Sequence, residues 1–309
     1  DVYGATMQIW QAEDQYDLVT DKTCCSIYAV DDARKVANIL DIPYYVFNMK
    51  EDFKKEVIDY FIGEYINGRT PNPCIMCNKK IKFELLLKKA IALGMDYIAT
   101  GHYAIIEYDR SKNRFLLKRS YAKEKDQTYV LYNMTQDMLS KTLFPLGKFS
   151  KNQVRELAKR YNLPVAQKPD SQEICFITDN DYGLFIKENT GIDEPGTYVD
   201  VEGNVLGKSK AYYHYTIGQR KGLGISAGKR MYVVDIKPSE NKIVLGSEDK
   251  IFSDSLIATD LNFIPFDCLS TEIEVSAKIR YTAKESKARI IPMDNSKGYV
   301  KFYEKQRAI

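Results

Sequence analysis

Apolar and small residues alternate along residues 2–9 with the two-residue period of a strand. In DDARKVANILDIP (31–43), Ala33, Val36, Ala37 and Leu40 fall on one helical face before a proline stop, and YYVFNM (44–49) returns to strand character. The pattern then predicts a helix through Phe53, Val57, Tyr60 and Phe61, a cysteine-bearing loop, and a helix through Phe83, Leu86, Leu87 and Ala90 that Gly94 ends past its last turn. DYIATGHYA (96–104) reads as a strand running into a loop. Strands alternating with such helices imply a parallel α/β sheet, whose ligand site lies beyond the carboxyl ends of its strands. ATMQIW (5–10) and ATGHY (99–103) occupy such ends.

From about residue 143 the texture changes. Ser150 is placed to cap a short helix through Val154, Leu157 and Ala158, and PDSQEICFITDNDYGLFI (169–186) mixes loop with a second helix. Beyond about 207, short alternating runs recur (RMYVVDI, KIVLG, TEIEVSAKIRY, KARIIPM, GYVKFY), the rhythm of an all-β barrel or sandwich. The expected division is an α/β domain over 1–142, a small linking domain over 143–206 and a β-barrel over 207–309.

Composition narrows the class. With 309 residues, 44% of them hydrophobic and 28% charged, the chain is that of an ordinary globular protein of two or three domains, and it contains no apolar run that would span a bilayer. A net charge of +3 means that any affinity for nucleic acid must come from local basic clusters. Six cysteines (24, 25, 74, 77, 175 and 268) are too sparse for a secreted disulfide scaffold and suit thiols in a cytoplasmic protein.

Chemistry concentrates in a few segments. GNVLGKS (203–209) has three residues between its glycines where a phosphate loop needs four, so it reads as a β-turn. Cys74 and Cys77, in TPNPCIMCNKKIKF (70–83), lack the second cysteine pair that structural zinc would require, and the two histidines, His102 and His214, stand far apart in the chain. Lys79, Lys80 and Lys82 put positive charge near Cys77, which favours thiolate over thiol; an inert cysteine is the bland alternative. Cys175 sits before Phe176 and Ile177, as at the edge of a core, and on its own reads as a buried hydrophobe. His102, at a strand end, suits ligand contact better than a Cys–His dyad. YHYTIGQRKGLG (213–224), KEKDQTYVLY (123–132) and KIRYTAKES (278–286) interleave aromatics with basic residues, as suits phosphate contact and base stacking.

Seven blocks, ATMQIW, RTPNPCIMCNKKIKF, ATGHYA, KDQTYVLY, KPDSQEICFI, YHYTIGQRKGLGI and KIRY, together resemble the tRNA-specific 2-thiouridylase family, in the family's order across nearly the whole chain. The resemblance implies an ATP-pyrophosphatase domain of the adenine nucleotide alpha hydrolase type, a central linking domain and a C-terminal β-barrel. It also implies an enzyme that replaces the C2 oxygen of a wobble uridine with sulfur, using ATP and Mg2+ to adenylate that oxygen and a persulfide passed on by a sulfur-relay protein. On the family pattern, Cys175 would carry the persulfide and Cys77 would be the nucleophile, ending in a Cys77–Cys175 disulfide. Met7 and Gly101 would line the nucleotide, and Asn72, Pro73 and Cys74 would face the target base. His102, Lys125, Asp126, Gln127, Arg280 and Tyr281 would touch tRNA. A cytoplasmic monomer is expected.

The sequence departs from the family pattern in places. The Ser-Gly-Gly-x-Asp-Ser loop is not found, and the family pattern leads us to expect both ends to be cut, with about one strand and one helix missing before Asp1. On that reading the chain as written binds tRNA without adenylating it. Position 74, often Asp in the family, is Cys, which leaves open a [4Fe–4S] site on Cys74, Cys77 and Cys175. A tRNA-binding module without catalysis, and an amide-forming ligase of the same superfamily, are the readings from other classes.

Overall fold

The α/β alternation expected at the start of the chain is present in the computed structural model, which describes residues 1–9, 27–167, 174–177, 181–225, 230–294 and 296–309. Trp10 and the stretches 168–173 and 178–180 of the quoted motifs lie outside the described residues. The chain forms two units, one of residues 1–61 and 72–181, the other of 62–71 and 182–309.

In the first unit, β1 (Gly4–Gln8) pairs in parallel with β2 (Tyr44–Asn48), from Gly4 opposite Tyr44 to Gln8 opposite Asn48. The helix between them, α1 (Ile27–Ile39), buries Ala37 and leaves Leu40, assigned to the same face, beyond its end and exposed. Asp41 takes the left-handed conformation (φ 52°), and Ile42 N–H bonds back to the Ala37 carbonyl. The chain therefore turns out of the helix ahead of Pro43. Tyr44 locks the pair by donating its hydroxyl to Thr6 Oγ1 at 2.7 Å.

Helix α2 is α-helical over Lys50–Phe53, π-wound over Lys54–Ile58 and α-helical again over Asp59–Ile66. Phe53, Val57, Ile58 and Phe61 are buried, so Ile58 takes the core position expected of Tyr60. Helix α3 has the same three-part winding, over Pro73–Met76, Cys77–Leu86 and Leu87–Ala92. The expected cysteine loop is thus helical from Pro73 onward. Proline at the first helical position surrenders an N–H that would be unpaired anyway, and Asn72 accepts the Cys74 N–H at 3.1 Å, so the Asn-Pro pair begins a helix instead of excluding one. Gly94 (φ 83°) ends α3 as expected, with Met95 N–H returning to the Ala90 carbonyl.

β3 (Ile98–Ala99) is followed by the hairpin β4 (Ala104–Asp109) and β5 (Arg114–Arg119), then by α4 (Gln136–Ser140) and β6 (Thr142–Leu143), which pairs in parallel with β3. Among the described residues, parallel pairing therefore comes in two two-stranded pieces. Helix α5 (Lys151–Arg160) starts at Ser150, whose hydroxyl accepts the Gln153 N–H while the Gln153 side chain accepts the Ser150 N–H, a complete capping box.

In the second unit, α6 (Tyr182–Thr190) precedes eight strands: β7 (Thr197–Val199), β8 (Val205–Lys208), β9 (Tyr232–Lys237), β10 (Lys242–Gly246), β11 (Phe252–Thr259), β12 (Ile273–Ala277), β13 (Ser286–Pro292) and β14 (Lys297–Arg307). They form two four-stranded sheets, ordered β8-β7-β10-β9 and β11-β14-β13-β12. Every alternating run read from the sequence became a strand, and the phosphate-loop lookalike is a turn into β8, closed by Asp200 accepting the N–H groups of Glu202 and Asn204. Residues 62–71 join this unit through aromatic contacts: Tyr65 stacks on Tyr182 at 4.8 Å and Tyr212 donates to the Ile66 carbonyl at 2.8 Å.

Gly147 marks one tight approach. A methyl group there would lie 2.0 Å from the Ala104 carbonyl oxygen, so Gly147→Ala must push β4 aside. We expect a loss of about 2 kcal/mol, seen in a thermal melt as a midpoint roughly 5 °C lower.

Candidate functional site

Helix α3 presents its two cysteines differently. Cys74, in the opening turn, is exposed, whereas Cys77, where the π winding begins, is buried. Asn78 beside it is 3% exposed and donates Nδ2–H to the Val130 carbonyl at 3.1 Å. Of the nearby lysines, Lys80 is paired with Glu84 at 3.1 Å, and Lys82 acts on His102.

Cys175 is half-buried in the same unit. Its neighbour Phe176 meets Phe53 and Phe61 of α2 edge-on, at ring separations of 5.8 and 5.3 Å. Helix α3 also packs on α2, through the π-wound stretches of both. One helix thus supports the segments that carry Cys77 and Cys175.

Met7 lies near the carboxyl end of β1, and Gly101 just past the carboxyl end of β3. Gly101 is exposed, and a β-carbon built there would meet, among the described residues, only Leu146, at 3.7 Å, so the backbone at this strand end is open.

The next residue is turned the other way. His102 is 8% exposed, packed against Phe83 and Phe144, with Nδ1 2.8 Å from Thr100 Oγ1. Burial, and then the charge of Lys82, push the imidazole down to about 3, so it is neutral near pH 7. The loop position read from the sequence is a core position.

Lys125 closes a 3-10 turn, Lys123–Lys125, and is half-buried. The Asp126 carboxylate accepts from Ser120 N–H at 3.0 Å and from the Thr128 hydroxyl at 2.5 Å. Gln127 Oε1 accepts the Tyr103 N–H at 2.9 Å, while Gln127 N–H donates to the Tyr103 carbonyl at 2.9 Å. Gln127 thus braces the loop after β3, and Asp126 ties the end of β5 to the turn that follows. In the second unit, Arg280 donates to the carbonyls of Ala308 (2.6 Å) and Ile217 (3.3 Å), and Lys278 lies 5.3 Å over the exposed Tyr281 ring. Asn78 escaped the sequence reading. A polar residue one turn before Ile81, on the face α3 buries, was the available signal.

The iron–sulfur alternative needs correcting. Among the described residues, which include Cys74, Cys77 and Cys175, no group of three or more Cys, His, Asp or Glu side chains is arranged to hold a metal ion. Cys74 is exposed, Cys77 buried and Cys175 half-buried. Among the same residues, no helix is long and apolar enough to cross a membrane.

Fold and site define a HUP domain followed by a PRC-barrel domain. A family model described as the tRNA methyl transferase HUP domain matches residues 1–179, and one described as the tRNA methyl transferase PRC-barrel domain matches residues 184–247. The tRNA-specific 2-thiouridylase MnmA of Caldicellulosiruptor saccharolyticus is 80% identical over 309 residues, which cover all of this chain and 86% of that protein. The tRNA-specific 2-thiouridylase MnmA 1 of Thermoanaerobacter pseudethanolicus is 58% identical, and the MnmA of Acetivibrio thermocellus 57%, each over all of this chain and 85% and 86% of those proteins. The chain belongs to the tRNA-specific 2-thiouridylase family, as the seven sequence blocks suggested.

The state of His102 sets a pH dependence. In the unfolded chain a histidine takes up a proton below about pH 6.5, whereas the folded one does so only near 3. Its contribution to stability is therefore complete above about 6.5 and is lost as pH falls towards 3, by at most about 1.4 kcal/mol per pH unit. Urea midpoints taken from pH 7 down to 4 should fall more steeply for the wild type than for His102→Gln.

Proposed function

We propose that this chain is the catalytic part of an enzyme that replaces the C2 oxygen of a uridine in tRNA with sulfur. The observation that carries the reading is the shared footing of Cys77 and Cys175: helix α2 packs both against the Cys77 helix and, through Phe176, against the Cys175 segment. Two thiols suit sulfur transfer, in which one carries the sulfur and the other resolves the spent carrier as a disulfide.

Asn72, Pro73 and Cys74, at the start of α3, are the group we assign to the target base, which must leave its stack in the anticodon loop to reach it. The strand ends at Met7 and Gly101 suit an adenine nucleotide, because both stand at carboxyl ends of parallel strands and the backbone at Gly101 is open. ATP with Mg2+ supplies the adenylyl group that makes the C2 oxygen able to depart. Cys175 receives sulfur as a persulfide from a sulfur-relay protein, and its outer sulfur attacks C2 and bonds to it as the C2–O bond breaks and the oxygen leaves on AMP. The Cys77 thiolate then attacks the inner sulfur of Cys175, forming the Cys77–Cys175 disulfide as the S–S bond to the transferred sulfur breaks. An external dithiol returns the pair to thiols. Lys125, Arg280 and Tyr281 are the residues we assign to the tRNA backbone and loop, with Asp126, Gln127 and His102 holding the surface that presents them. We place the enzyme in the cytoplasm, acting as a monomer.

The test is nucleoside mass spectrometry on tRNA incubated with the full enzyme, ATP, Mg2+ and a persulfide donor. Cys77→Ser and Cys175→Ser should each lower 2-thiouridine formation by about a thousandfold or more, since loss of a covalent nucleophile removes the step it performs. Their melting temperatures should stay near that of the wild type. Full activity in either variant would overturn the two-thiol mechanism.

A further inference from the structure

We infer that Asn78 is a positioning residue for Cys77, and that its bond to Val130 holds the thiol-bearing helix in register with the strand end at Gly101. The inference rests on the reading of Cys77 as a reacting thiol.

The geometry forms a continuous path. Asn78 follows Cys77 at the start of the π-wound stretch of α3 and donates Nδ2–H to the carbonyl of Val130, the last residue of the 3-10 turn Thr128–Val130. At the other side of that turn, Gln127 is joined to Tyr103 by two bonds of 2.9 Å, one through its backbone N–H and one through its side-chain oxygen. Tyr103 lies two residues beyond Gly101. A side-chain amide, a short turn and a second side-chain amide thus connect the residue beside the thiol to the loop at the nucleotide strand end.

The chemistry of the amide argues that this donor is what the position requires. Val130 offers a carbonyl oxygen, so the Asn78 nitrogen must face it and Oδ1 must face away. There Oδ1 is buried and has no hydrogen-bond partner among the described residues. A buried acceptor without a donor opposes folding, and a leucine of similar volume would avoid it. Stability alone therefore gives little reason for an amide here. What it does supply is rotational control. Anchoring one side chain of a helix to a fixed carbonyl sets the rotation of that helix about its axis, and with it the direction in which the adjacent side chain points. For α3 that adjacent side chain is the Cys77 thiol.

The test uses the full enzyme with Asn78→Leu, which keeps the volume and removes the donor, and Asn78→Gln, which keeps an amide. Four quantities are measured: kcat and KM for tRNA thiolation, the rate at which iodoacetamide alkylates Cys77 as read by peptide mass spectrometry, and the melting temperature. For Asn78→Leu we expect kcat to fall about tenfold, the effect of one neutral hydrogen bond on the population of the productive geometry. KM should stay within about twofold, the melting temperature should change little, and the Cys77 alkylation rate should shift by a factor similar to that in kcat. Asn78→Gln should recover most of the loss. Wild-type kcat and alkylation in Asn78→Leu would overturn the inference, and so would a loss that only follows the unfolded fraction. If instead Cys77→Ser remains fully active, the functional reading fails, while the alkylation rates still decide whether Asn78 governs the thiol.

Discussion

The edge-on packing of Phe176 against Phe53 and Phe61 is the contact on which the site depends. Residues 174–177 make only a single turn, with Ile177 N–H returning to the Ile174 carbonyl, and have no strand or helix of their own to hold them. Burying a phenylalanine contributes roughly 1.5–3 kcal/mol, and each well-placed aromatic pair about 0.5–1.5 kcal/mol more, enough to hold a short segment against its backbone entropy. Cys175 is covalently next to that anchor. Because Phe53 and Phe61 belong to the helix that also packs on α3, the short segment around Cys175 rests on the same support as the Cys77 helix.

Much of this architecture was legible in the sequence because period and punctuation agreed. The faces of α2 and α3, the stop at Gly94, the cap at Ser150 and five of the eight strands of the second unit all carry both an alternation and a boundary residue. The misses have physical reasons. TPNPC looks like a loop because it holds two prolines, yet only the position of the second one matters, and at the first helical residue proline is favoured. Strand β11, FSDSLIAT, hides its alternation behind Ser and Asp. The membership of 62–71 in the second unit depends on Tyr65 and Tyr212, which meet partners far away in the chain.

At the site, residue types were easier to read than residue duties. His102 looked like a ligand contact because it follows a glycine at a strand end, but Phe83 and Phe144 enclose it, and both come from elements distant in sequence. Asp126 and Gln127 lie in a segment that reads as basic and aromatic, while their side chains spend their hydrogen bonds on Ser120, Thr128 and Tyr103. Arg280 likewise clasps two backbone carbonyls and so joins the 217 loop to the strand end at 308. Polar side chains in a functional motif can hold the scaffold and leave recognition to their neighbours, and only coordinates separate the two duties.

The π winding of α3 also bears on how this helix can change over evolutionary time. A π stretch carries an extra residue in each turn relative to an α-helix, so losing one residue between Cys77 and Leu86 would be absorbed by rewinding, with no break in the helix. A lineage could therefore vary the chain length of this stretch through its winding while α3 stays continuous, a latitude that residue identities alone would not reveal.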